Sequence, residues 1–170
     1  EPGAGSDLAS LQTQATDSGA HFVINGQKVW TSGAHEADWC LLLARTNREP
    51  AKHRGLSAFV VDMKTPGISV RPLVNMAGDH EFNEVFFDGV KVPKRNLVGE
   101  RDRGWQVVMT LLNFERPAIP FYAIARRYLG DLVEYALQAG DLNPSVRGRM
   151  AELSVECEVG RLLAYHVAWL

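Results

Sequence analysis

The chain has 170 residues, 46% of them hydrophobic and 22% charged, with a formal net charge of −2. That profile fits one ordinary globular domain or two small ones and excludes a disordered or collagen-like chain. Acids and bases are mixed along its length, so neither a nucleic-acid surface nor a membrane-binding basic face is expected, and no apolar run approaches the roughly 18 residues of a membrane span.

The chain opens on "EPGAGSD", Glu1 to Asp7. No lysine follows the glycines as in a phosphate-binding Walker loop, and no strand precedes them as a dinucleotide fingerprint requires. Gly3 and Gly5 would still let backbone amides approach a ligand, with the Ser6 hydroxyl free to donate or accept. On local grounds the stretch reads as an ordinary turn or as a ligand loop.

From His21 to about Pro93 the pattern is that of short strands separated by turn chemistry. "HFVI" and "QKVW" flank Asn25-Gly26, the dipeptide best suited to a type I′ turn, which predicts a hairpin. "DWCLLLAR", "LSAFVVD" and "ISVRPL" follow as strands, separated by "TNREPAKHRG" and "KTPG". "NEVFFDGVKVP" repeats the hairpin logic with its bend at Asp88-Gly89. Six or seven strands without intervening helices predict a small antiparallel barrel or sandwich over residues 1–100.

Beyond "RNLVGERDRG" the period changes. Trp105, Val108, Met109, Leu111 and Leu112 recur at spacings of three and four, the stripe of an amphipathic helix. Pro117 and Pro120 each remove a backbone donor, so the helix is expected to bend or break near them. A second helical segment, "GDLVEYALQAG", should stop at Gly140. A third should start with Asn143 as N-cap and Pro144 in the first turn. The class is therefore α+β, with residues 101–170 helical. The chain has no initiator Met and ends in the apolar "LLAYHVAWL", so both ends are expected to continue in a longer protein.

Two stretches carry candidate chemistry. In "VWTSGAH" a large aromatic, two hydroxyls and a glycine meet at a strand end. Trp30 could stack on a planar ring while Thr31 or Ser32 bonds its edge, or Trp30 could be a core residue before a turn. In "NFERP", Glu115 and Arg116 interrupt an apolar helix. They read either as a salt-bridged pair between helices or as a cleft wall, where desolvation would raise the carboxylate's pKa and suit it to removing a proton beside a carbonyl. The five histidines form no metal set; His35-Glu36 and His80-Glu81 read as surface or structural. Cys40 and Cys157 lie far apart in apolar surroundings, as buried thiols do in a reducing compartment. No G-x-S-x-G elbow supports a hydrolase.

Taken in order, "EPGAGSD", "INGQKVWTSGAHEADW", "TPGISV", "FNEVFFDGVKVPKRNLVGE" and "GWQVVMTLLNFERP" resemble the acyl-CoA dehydrogenase family from Glu1 to about Ala123. The resemblance implies a middle β-barrel domain followed by an incomplete C-terminal four-helix bundle, with FAD in the cleft between them. It further implies that a base removes the α-proton of an acyl-CoA while the β-hydrogen leaves as hydride to flavin N5, giving a trans-2-enoyl-CoA. Carried over by position, Glu1, Pro2, Gly3, Ala4, Gly5 and Ser6 would lie along the flavin and acyl thioester. Trp30 would stack on the isoalloxazine, with Ser32 bonded to N5 beside Thr31, and Asn113, Phe114, Glu115 and Arg116 would line the acyl-CoA site. Many members take their base from a loop near the C-terminus. In the isovaleryl-CoA and long-chain enzymes it stands on this helix just before the arginine, where this chain has Glu115.

The resemblance also implies an electron-transferring flavoprotein as acceptor, and a cytoplasmic enzyme, or a mitochondrial-matrix one if eukaryotic. Alternatives within the fold are an acyl-CoA oxidase or related flavin monooxygenase, and a non-catalytic subunit. Where many members carry Arg-x-x-Phe-Gly to grip a neighbouring subunit's FAD, this chain reads "YALQAGDLNPSVRGRM". That departure puts the inter-subunit contact of the usual tetramer in question, and a homo- or hetero-oligomer, dimer or tetramer, is expected.

Overall fold

The computed structural model describes residues 1–48, 52–116, 119–140 and 143–169. The chain divides into two units, Glu1–Met109 and Thr110–Leu170.

The first unit is built on seven strands: β1 (Gln14–Asp17), β2 (His21–Ser32), β3 (Trp39–Arg45), β4 (Leu56–Asp62), β5 (Ile68–Leu73), β6 (Phe82–Pro93) and β7 (Leu97–Val98). Their order across the sheet is β5-β6-β2-β1-β3-β4-β7. Neighbours are antiparallel except for one parallel contact of β1 with β3, at Gln14 and Arg45. Among the described residues the sheet stays open, with β5 and β7 at its edges, rather than closing into a barrel. Alternation along the strands gathers Phe22, Ile24, Leu42, Phe59, Val61, Val85, Phe87, Val90 and Val92 into one buried cluster. Phe22 meets Phe59 edge to face at 5.0 Å; burying one such side chain contributes about 1.5–3 kcal/mol.

The two hairpins expected at Asn25-Gly26 and Asp88-Gly89 are not formed. Each dipeptide lies inside a continuous 12-residue strand, β2 or β6, and the two strands pair with each other. A type I′ turn needs positive φ at both central residues. Gly26 (+146°) and Gly89 (+61°) adopt it, but Asn25 and Asp88 do not. The glycines serve a β-bulge instead: Ile24 pairs with Val90 and Gly26 with Phe87, so β6 spends one more residue than β2 over this step. The Gly89 N–H donates to Asn25 Oδ1 at 2.8 Å, tying the two dipeptides together. Gly26 is also close to β1's approach, since a Cβ there would lie 2.7 Å from Thr13 Cα. β1 instead joins β2 in a hairpin through Ser18, Gly19 and Ala20, where Gly19 N–H donates to Asp17 Oδ1 at 3.0 Å.

Arg45, at the end of β3, is buried and donates to four carbonyls: Nε to Leu11, Nη1 to Arg54, and Nη2 to Ala9 and Lys52. It thus ties the turn at Leu8–Ser10, which follows the opening segment, to the chain ahead of β4. A second apolar cluster forms there from Ala4, Leu11, Leu43, Leu56 and Ala58, against which Trp105, Val107 and Val108 pack. These last three belong to α1 (Gly104–Glu115). The start of α1 can lie this close to β4 because Gly104 has no side chain: a Cβ would stand 2.6 Å from the Ser57 carbonyl carbon.

The second unit contains the end of α1, then α2 (Ile119–Ala139) and α3 (Pro144–Trp169). Pro120 falls in the first turn of α2, where it costs no helical hydrogen bond; Pro117 lies outside the described residues. α2 starts at Ile119 rather than near Gly130 and runs through that glycine to Gly140, whose φ of +68° ends the helix as expected. Asn143 caps α3 by accepting the Val146 N–H at Oδ1, 2.9 Å. α2 and α3 pack together, and Phe121, Tyr128, Leu132, Val159 and Leu163 remain exposed. Helices with so much uncovered apolar surface are what an incomplete bundle presents. Among the described residues no helix is long and apolar enough to cross a membrane.

Candidate functional site

The opening segment is anchored by its first side chain. The Glu1 carboxylate, 8% exposed, accepts from the backbone N–H groups of Gln12 at 2.6 Å and Thr13 at 3.0 Å, and from Lys28 Nζ at 2.7 Å. Ala4 is buried in the second apolar cluster, whereas Pro2, Gly3, Gly5 and Ser6 are exposed. A Cβ on Gly3 or Gly5 would meet nothing within 4 Å, so no packing inside the unit demands these glycines and their backbone edge faces open space. Asp7 closes the segment by pairing with Lys52 and accepting from Ser10.

Burial works against the Glu1 charge, but the donors from Gln12, Lys28 and Thr13 outweigh it and bring the carboxyl to about 2 from its usual 4.5. A carboxyl lowered on folding stabilises the fold above its unfolded pKa, and that contribution is lost as pH falls through the folded one. Glu1→Gln is therefore expected to lower the melting temperature at pH 7, where it leaves Lys28 without its anion. It should also flatten the loss of stability between pH 4.5 and 2, as thermal melts across that range will show.

Lys28 lies two residues before Trp30 on β2, so the strand that clamps the opening segment also carries the candidate aromatic. Here β2 bulges: Lys28 pairs with Val85 and Thr31 with Asn83, and β2 spends one residue more than its partner. Trp30 sits in this bulge at φ +61°, a conformation that costs a bulky L-residue about 1–2 kcal/mol. Its indole is 67% exposed and touches Phe82 edge to face at 6.0 Å. Thr31 is half-buried and Ser32 exposed, and Gly33, at φ +64°, donates its N–H to the Glu81 carbonyl at 3.0 Å.

A strained, exposed indole followed by two hydroxyls suits a flat heteroaromatic ring, which needs one apolar face and hydrogen bonds at its edge. The residues present therefore fit an isoalloxazine. Trp30→Gly would relieve the backbone strain and lose little burial. It is expected to leave the melting temperature within a few degrees of wild type and, with Trp30 stacked on the flavin as the resemblance implies, to weaken FAD binding about tenfold, the loss of a ring contact of about 1–1.5 kcal/mol. Thermal melts and FAD titration of the full-length protein check both halves.

Asn113, Phe114, Glu115 and Arg116 belong to the second unit, at the end of α1 and just beyond it; all four are exposed, Phe114 to 82%. The first unit thus ties the opening segment to β2 through Lys28, two residues before Trp30, and the second carries the NFER group. Lys28 and Asn83, absent from the sequence-derived candidates, support the first group. Nothing in their spacing marks them, since their partners are distant in the chain: Glu1 for Lys28, Thr31 and His35 for Asn83.

An open β-sheet unit with an exposed aromatic at a strained bulge, followed by packed helices, defines an α+β protein. Residues 1–90 match the middle domain of acyl-CoA dehydrogenases and residues 102–170 their C-terminal domain. The chain belongs to the acyl-CoA dehydrogenase family. It is 44% identical to the acyl-CoA dehydrogenase FadE34 of Mycobacterium tuberculosis over 100% of this chain and 24% of that one. The solved Tcur3481-Tcur3483 steroid ACAD superposes with a TM-score of 0.85 and 39% identity, over 99% of this chain and 44% of that one. The ChsE4-ChsE5 complex of M. tuberculosis does so with a TM-score of 0.81 and 37% identity, over 99% and 45%. The chain spans between about a quarter and a half of these proteins' lengths.

Proposed function

We propose that the protein carrying these residues is an FAD-dependent acyl-CoA dehydrogenase that converts an acyl-CoA thioester to a trans-2-enoyl-CoA. Residues 1–100 would be its middle β domain and 101–170 the start of its C-terminal helical domain. Bound FAD would supply the hydride acceptor, and this chain's residues hold and orient. Trp30 stacks on the ring, Ser32 and Thr31 bond its polar edge, and the backbone of Glu1 to Ser6 runs beside it, with Ser6 as a polar contact to ring or thioester. Glu115 removes the substrate α-proton as the β-hydrogen leaves as hydride, so the thioester loses two hydrogens and gains one double bond. Asn113, Phe114 and Arg116 line the acyl-CoA site.

The observation that carries this reading is the strained, solvent-facing Trp30, a residue that a purely structural sheet would turn inward or replace by glycine. Family membership supports the reaction class. The name of the steroid ACAD supports steroid-derived CoA thioesters as first substrates, and that of the ChsE4-ChsE5 complex supports a partner chain. Electrons would pass to an electron-transferring flavoprotein, in the cytoplasm.

The test is anaerobic addition of such thioesters to the purified full-length protein. The oxidised-flavin absorption should bleach and the enoyl-CoA appear, and reoxidation should be fast with the flavoprotein and slow in air. Fast reoxidation in air would make it an oxidase. A protein that stays colourless with added FAD would be a non-catalytic subunit.

A further inference from the structure

Asn83 is fully buried in β6, directly opposite Thr31 in the register of the Trp30 bulge. Its Nδ2 faces the Thr31 carbonyl at 3.1 Å, His35 Nδ1 at 3.2 Å and the Glu81 carbonyl at 3.4 Å, and its Oδ1 faces His80 Nε2 at 2.7 Å. Two of these neighbours are backbone carbonyls, which can only accept, so they fix which end of the amide points at them. With the amide so oriented, His80 must donate from Nε2 and His35 must offer a bare Nδ1. The two imidazoles stack on each other, their ring centroids 4.1 Å apart. A buried amide whose every polar atom is paired has one orientation, and what it holds is held with it.

What it holds is the carbonyl of the residue between Trp30 and Ser32. A bulge with a bulky residue at positive φ persists only where its surroundings over-determine it. Here the β2–β6 register, the Gly33–Glu81 hydrogen bond and the Asn83 amide do so together. We propose that Asn83, braced by His35 and His80, is a positioning residue for the flavin: by fixing the Thr31 peptide it aims the Trp30 ring and the Ser32 hydroxyl. The inference rests on the flavin reading given above, and Asn83 acts only through Thr31.

The test uses the full-length protein loaded with FAD. Asn83→Ala is expected to keep flavin in the oxidised band's normal amount while moving its absorption maxima and reduction potential. It should also lower kcat by about 10- to 100-fold, with KM within about twofold, the signature of a misplaced rather than a missing contact. His80 is exposed, so its replacement tests the brace without disturbing the core. His80→Leu should move the spectrum in the same direction by a smaller amount, and His80→Gln, which restores an N–H donor to Asn83, should return it to the wild-type position. If Asn83→Ala fails to fold, the two His80 variants decide. Variants that lose melting temperature but leave the spectrum and potential of the loaded flavin unchanged overturn the inference. Wild-type protein that takes up no FAD overturns the flavin reading itself, and with it this one.

Discussion

Glu115→Gln in the full-length protein is expected to retain FAD and to lose turnover by about 10²- to 10⁴-fold, the range that a positioned base contributes. The amide keeps the shape and hydrogen-bonding reach of the carboxylate and removes only its basicity. Glu115 is the last residue of α1 and is exposed, so the change should move stability by no more than about 0.5 kcal/mol. A loss of turnover without a loss of fold then belongs to the proton-transfer step. Glu115→Asp withdraws the carboxylate by one methylene and should fall between the two. Steady-state turnover, with flavin content measured on the same samples, checks the series. Near-wild-type turnover by the Gln variant with FAD bound would move the base to another residue, the C-terminal loop of the family being the first place to look.

The largest expected effect on stability is at Arg45. Arg45 is buried, 8% exposed, and its guanidinium donates to the carbonyls of Ala9, Leu11, Lys52 and Arg54. Arg45→Met keeps a long apolar stem but strips every donor, leaving the carbonyls of the buried Ala9 and Leu11 without this partner. Each buried acceptor left unpaired costs about 1–3 kcal/mol, so the two together cost about 2–6 kcal/mol. Arg45→Lys keeps the charge but not the planar fork that reaches several acceptors at once, so it should recover only part of the loss. Urea unfolding of the full-length variants measures both. Because Arg45 fixes the turn directly after the opening segment, FAD affinity should fall alongside stability in both. A Met variant as stable as wild type would show that the carbonyls find water.

Much of the secondary structure was legible because its causes are local. "LSAFVVD" and "ISVRPL" became β4 and β5 with the expected ends, since each is a short run of β-formers between turn residues. The start of α3 follows from Asn143 and Pro144, whose preferences act within one helical turn. The ordered motifs from "EPGAGSD" to "NFERP" were enough to point to the family, which the domain matches bear out. The α+β class followed from the change of period after residue 100.

The candidate site was legible in residue type and illegible in geometry. "VWTSG" marks a large aromatic beside hydroxyls, but nothing in it predicts positive φ at a tryptophan, because that conformation is imposed by the pairing of β2 with β6. "EPGAGSD" shows a carboxylate and two glycines, but not that the carboxylate is held by Lys28, which lies 27 positions away.

Residue order alone was enough to say where the chain favours strand or helix, where α3 starts, and which family the chain belongs to, since these rest on neighbours in the chain or on motif order. The fate of Asn25-Gly26 and Asp88-Gly89 was settled by the folded sheet. Glycine at positive φ satisfies a hairpin turn and a β-bulge equally well, and the choice fell to the long antiparallel pairing that buries Phe22, Ile24, Val90 and Val92. The same pairing set Asn83 opposite Thr31, because contacts between strands 52 residues apart exist only once the sheet has formed.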